Sequence, residues 1–158
     1  MAKIGILGCQ SVTNEMNCVM IGCFGNLRTR EGLFKDYPED DPPELVGVIN
    51  CGGCPTAVGS DRIWQKVQAL VDYGISAIHL SSCMVQLCPF KDDFKKTIQT
   101  DYPDIKVVEG THFFHDDDAF KTGVKELVSQ RVVTPQRMND LVFKRIKLEP
   151  RMNTNEHE

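Results

Sequence analysis

The chain has 158 residues, a formal net charge of −4 and 41% hydrophobic residues. That length fits one domain of roughly 100–200 residues, which can fold without a disulfide or metal staple. The acidic balance argues against nucleic acid or an anionic membrane as partner, and no run approaches the roughly 18 apolar residues of a membrane span.

Lys3–Gly8 (KIGILG) reads as the first strand, preceded by too little apolar sequence for a secretory signal. Val12–Leu27 is either a helix or a loop with a short helix, because Gly22 and Gly25 weaken the pattern. Arg28, Arg30 and Lys35 read as surface positions, and Tyr37–Glu44, rich in proline and acids, as an exposed loop. Leu45–Asn50 (LVGVIN) is the second strand. Asp61–Tyr73 carries Ile63, Val67, Leu70 and Val71 on one face and reads as a helix, with Ser60 or Asp61 as cap and Gly74 as stop.

Ile75–Ser81 (ISAIHLS) and Ile105–Gly110 (IKVVEG) are the third and fourth strands. A helix over Pro89–Gln99 lies between them, with proline in its first turn and Phe90, Phe94 and Ile98 toward the core. Another runs from Asp117 to Gln130, its acidic start suited to the positive end of the helix dipole. Asn139–Leu148 is a short amphipathic element, and Asn153–Glu158 a frayed tail. None of the four strands alternates polar with apolar, as expected of strands buried on both faces. The expected fold is therefore three-layer α/β/α with a mostly parallel sheet, of the Rossmann or flavodoxin type. Residues 1–130 would form the α/β domain, and 131–158 a partly flexible C-terminal extension.

Seven cysteines stand out: Cys9, Cys18, Cys23, Cys51, Cys54, Cys83 and Cys88. Seven of 158 is about 4%, below the roughly 8–10% of a small disulfide scaffold. The odd number leaves at least one thiol unpaired, and the expected compartment is the cytosol, where cysteine clusters serve metal or redox chemistry. Cys9 follows the first strand, Cys51 and Cys54 the second, Cys83 and Cys88 the third, and His112 the fourth. Parallel strands end on one rim, where open α/β sheets place their ligand sites. Free cysteine also packs as a small hydrophobe, so each position alone means little.

Cys51-Gly52-Gly53-Cys54 is the strongest local unit. Its spacer lets two thiolates face one centre, and its glycines allow backbone N–H groups to approach sulfur. The spacing serves zinc or an iron–sulfur cluster, or a thioredoxin-like dithiol followed by a turn at Pro55. Cys83 and Cys88 form a second pair, with Pro89 setting Cys88 at a helix N-terminus. Cys18 and Cys23 repeat that spacing. His112 is the imidazole expected at the rim, with His115 a weaker alternative. His79 reads as core, and His157 as uninvolved. Ser81 and Ser82 fit a turn and could also donate to bound sulfur.

The ordered set resembles the CGGC-domain proteins, small prokaryotic proteins described as metal-binding. The resemblance rests on Lys3-Ile4-Gly5-Ile6 leading to Cys9, then Cys18 and Cys23 ahead of the Phe34 region. It continues through Val48-Ile49-Asn50-Cys51-Gly52-Gly53-Cys54-Pro55, His79-Leu80-Ser81-Ser82-Cys83, Cys88-Pro89 and Gly110-Thr111-His112. It implies a cytosolic α/β domain with cysteine and histidine zinc ligands, and no particular reaction. Relatives often carry His after the Cys-Pro pair, where this chain has Phe90, which shifts weight to Cys88 and His112.

The sequence thus points to a metal-binding protein, with zinc expected and an iron–sulfur cluster as the alternative. The ligands expected first are Cys51, Cys54, Cys83 and Cys88, then Cys9 and His112, then Cys18 and Cys23. The competing reading is a thiol–disulfide or sulfur-transfer enzyme using Cys51 and Cys54. The metal ion is the expected partner, with no role for nucleic acid or membrane.

Overall fold

The computed structural model describes residues 1–54, 61–114, 116–128 and 135–142. Ser60, the turn at Pro55, His115, Gln130, His157, the tail 153–158 and the part of Asn139–Leu148 beyond Val142 lie outside these residues. Four strands, β1 (Lys3–Gly8), β2 (Glu44–Asn50), β3 (Ala77–Leu80) and β4 (Lys106–Glu109), form one parallel sheet in the order β2-β1-β3-β4. The helices are α1 (Ile21–Thr29), α2 (Asp61–Asp72), α3 (Ser82–Leu87), α4 (Lys91–Asp101), α5 (Asp117–Val128) and α6 (Pro135–Val142). The expected three-layer α/β fold is the observed one.

The apolar runs explain the layers. Along β1, Ile4 and Ile6 turn to one face and pack with Met20, Cys23, Phe34 and Ala77. Leu7 turns to the other face and packs with Ile78 and Leu80 of β3 and with α2 and α4. Both faces are buried, which is why the strands read as continuous apolar runs. Helices α2 and α4 lie side by side, with the Trp64 and Phe94 ring centroids 6.0 Å apart. Leu70 of α2 rests directly on the sheet. A methyl at Gly5 would lie 2.7 Å from Leu70 Cδ1, and one at Gly47 2.9 Å from its Cδ2.

Of the two readings of Val12–Leu27, the loop with a short helix is the observed one: a π-helical turn (Ser11–Glu15) and a loop precede α1. Two local readings are corrected. The helix expected over Pro89–Gln99 begins at Lys91, and a separate short helix, α3, precedes it. Pro89 therefore sits in the turn between α3 and α4. Arg30 is half-buried and holds the 37–39 segment, donating to the carbonyls of Tyr37 (2.9 Å), Pro38 (2.8 Å) and Glu39 (3.2 Å).

The sheet order fixes the functional edge. The chain leaves β1 toward β2 and leaves β3 toward β4, in opposite directions, so the strand order reverses between β1 and β3. Open α/β sheets place ligands outside the carboxyl ends at such a reversal. Cys9 and the segment Ser81–Cys83 stand at that point.

Candidate metal centre

Hydrogen bonds carry the ladder one step past the strand ends. The Cys51 N–H donates to Gly8 O at 3.1 Å, and the Ser81 N–H donates to Leu7 O at 2.9 Å. The chain then turns at once: Cys9 O accepts the Thr13 N–H at 3.0 Å, and Ser81 O accepts the Val85 N–H at 3.0 Å to start α3. Cys83 thus lies in the first turn of α3, its sulfur 3.2 Å from Ser81 Oγ. It also accepts the Cys9 backbone N–H. All seven cysteines are free thiols.

Cys18, Cys23, Cys83 and His112 line one cavity of about 20 Å³. That volume suits a single water or ion, since roughly 10–15 Å³ holds one water. Met20, Ile21, Phe114, Phe120 and Val142 make most of the remaining wall apolar. A larger open cleft of about 290 Å³ adjoins it, and His112 and Phe114 line both.

His112 is held from its backbone. Ser82 Oγ accepts the N–H groups of Thr111 and His112, both at 2.9 Å, and donates to His112 O. With its proton so used, Ser82 leaves the Thr111 hydroxyl free to donate to Cys23 Sγ at 3.2 Å. Thr111 Oγ1 then accepts from His112 Nδ1 at 3.1 Å. This chain leaves Nε2 as the lone-pair nitrogen, and that atom is buried without a hydrogen-bond partner. Burial holds the imidazole neutral, its pKa lowered to about 4. Burial also pushes the thiols of Cys23 to about 12 and Cys83 to about 11, and raises Cys18. Without an ion, then, the cavity is lined by neutral donors.

A second group of sulfurs lies at the β1–β2 end. The Cys9 thiol donates to Cys51 Sγ, and burial with that bond raises Cys9. The same bond lowers Cys51, helped by the N–H groups of Gln10 (3.4 Å) and Gly53. Gly52 and Gly53 have φ of +88° and +96°, which only glycine adopts without strain and which curl the backbone around the sulfur. Cys54 is exposed. Cys88 is half-buried near Cys51 and Cys54, and burial raises its thiol. Its N–H closes the end of α3 on Met84 O at 2.9 Å, and it stands just before α4, as expected, with the Phe90 N–H directed at its sulfur.

The side chains therefore group differently from the sequence spacing. Cys83 faces Cys18, Cys23 and His112, while Cys51 faces Cys9. Among the described residues, no three His, Cys, Asp or Glu side chains stand close enough to grip an ion as they are; Cys23 Sγ and His112 Nδ1 are 3.9 Å apart. Sequence spacing ranked Cys18 and Cys23 last and did not single out Thr111. Gly110-Thr111-His112 after a strand was the available signal for it. His79 is core, as expected.

The model of the CGGC domain matches residues 3–112. The chain belongs to the CGGC domain family. No curated protein and no solved structure matches it. The matched span holds all seven cysteines and His112, whereas α5 and α6 lie beyond it. No helix among the described residues is long and apolar enough to cross a membrane.

Proposed function

We propose that this CGGC-domain chain is a cytosolic metal-binding protein that holds zinc with Cys18, Cys23, Cys83 and His112. The observation that carries the reading is that His112, whose Nε2 is buried without a partner, lines a cavity of about 20 Å³ together with three thiols. A buried polar nitrogen left without a partner costs about 1–3 kcal/mol, which a bound ion would relieve. Three sulfurs and one imidazole make a Cys₃His set, a common tetrahedral zinc site. Ligating histidines also donate their other ring N–H to an outer partner, and Thr111 is placed for that. The donors would rotate inward on binding and the thiols would release their protons to solvent. Unpaired thiols suit a reducing compartment. An iron–sulfur cluster is the competing occupant, and its bulk argues against so small a cavity.

The test is metal analysis of protein purified anaerobically. The expected result is colourless protein with stoichiometric zinc, lost in Cys23→Ser and His112→Gln but kept in Cys54→Ser. Brown protein with iron and acid-labile sulfide would overturn zinc. Zinc lost from Cys54→Ser but kept in Cys23→Ser would move the site to the β2 end.

A further inference from the structure

Two thiols outside the proposed zinc cavity stand side by side across the sheet. Gly8 and Asn50 are register partners on β1 and β2, so Cys9 and Cys51 are the next pair along the ladder. Neighbouring strands run about 4.8 Å apart. That spacing falls within the roughly 4.4–6.8 Å between Cα atoms that a disulfide spans. The Cys9 S–H already points at Cys51 Sγ. Cys54 is exposed, whereas Cys51 is 2% exposed, so the two cysteines of the CGGC motif meet different surroundings.

We propose that Cys9 and Cys51 are a reversible redox pair, in which Cys51 reacts with a peroxide and Cys9, not Cys54, resolves it. The Gln10 N–H, 3.4 Å from Cys51 Sγ, and the Gly53 N–H point at that sulfur, so negative charge is favoured there over its neighbour. Burial favours a small oxidant over a bulky disulfide. The Cys51 thiolate attacks one peroxide oxygen, the O–O bond breaks, and the departing hydroxide takes a proton to become water. The product is a sulfenic acid on Cys51. Cys9 sulfur then attacks Cys51 sulfur and the S–O bond breaks. Hydroxide leaves with the Cys9 proton as a second water, and the S–S bond forms. The two sulfurs together lose two electrons, and one peroxide becomes two waters. Two equivalents of a small external thiol reverse the oxidation by exchange and leave as their own disulfide.

The test treats the reduced protein with one equivalent of hydrogen peroxide, then alkylates free thiols and maps peptides by mass spectrometry. The expected product is a Cys9–Cys51 cross-linked peptide, lighter by two hydrogens and reopened by dithiothreitol. Cys54→Ala should give the same link. Cys9→Ala should leave Cys51 as a sulfenic acid that dimedone traps. A Cys51–Cys54 link in the wild-type protein, or an unoxidised Cys51 while other thiols react, would overturn the proposal. The wild-type map decides even if a variant misfolds. Zinc content of the same sample reports on the cavity separately, so the two ideas fail independently.

Discussion

The Tyr37 hydroxyl stands 2.8 Å from His79 Nε2, on the face of β3 that Phe34 also covers. Burial keeps the phenol protonated, its pKa raised to about 12, so Tyr37 is the donor. His79 Nδ1–H in turn donates to Gly110 O at 2.8 Å. A residue in the loop before β2 is thereby tied to the turn that presents Thr111 and His112. Tyr37→Phe should strand the His79 Nε2 and cost about 1–3 kcal/mol. Urea unfolding of the metal-free protein checks this, and an unchanged midpoint would refute it.

Stability should fall as pH drops below about 6.5, the unperturbed histidine value. Burial, aided by Lys106, lowers His79, and burial lowers His112 to about 4. Both imidazoles stay neutral in the fold, while the unfolded chain takes up protons first. Their contribution is complete above about 6.5 and is lost toward about 4. Denaturant midpoints of metal-free protein from pH 8 to pH 5 provide the measurement. A flat profile would mean that these rings are as easily protonated in the fold as in the unfolded chain.

Thr111→Val keeps the side-chain shape and removes the hydroxyl that bridges Cys23 and His112. Outer partners of metal ligands are worth about 10–100-fold in affinity. Zinc competition with a chromophoric chelator should show weakening in that range, with stoichiometry retained. Equal affinity in the two proteins would remove Thr111 from the site.

Gly5→Ala should destabilise the fold although alanine suits a strand better than glycine. Its methyl would meet Leu70 Cδ1 at 2.7 Å, and overpacking of this kind costs about 1–3 kcal/mol. Pairing it with Leu70→Ala makes room for the methyl, so the two losses should add to less than their sum. Strict additivity in urea unfolding would refute the close approach.

The sheet was legible because its central strands β1 and β3 are buried on both faces and read as apolar runs: Lys3–Gly8 is the strand as read. The short helix α3 was not legible, since Ser82–Leu87 is six residues and shows no full helical repeat. Pro89 then drew the next helix two residues too early. The rim position of Cys9, Cys51, Cys83 and His112 followed from parallel strands alone. The approach of Cys18 and Cys23 to Cys83 did not, because it depends on how the segment after β1 folds back over the rim. Spacing reports which residues lie near each other along the chain, and this cavity draws its donors from three separate segments.

Phe120 and Val142 close the cavity from helices that lie beyond the matched domain span. Donor atoms set how tightly an ion is held, whereas the apolar cover sets how readily water and competing chelators reach it. Under the proposed zinc reading, residence time and affinity fall to different stretches of sequence, and trimming Val142 to alanine should quicken zinc exchange before it weakens binding.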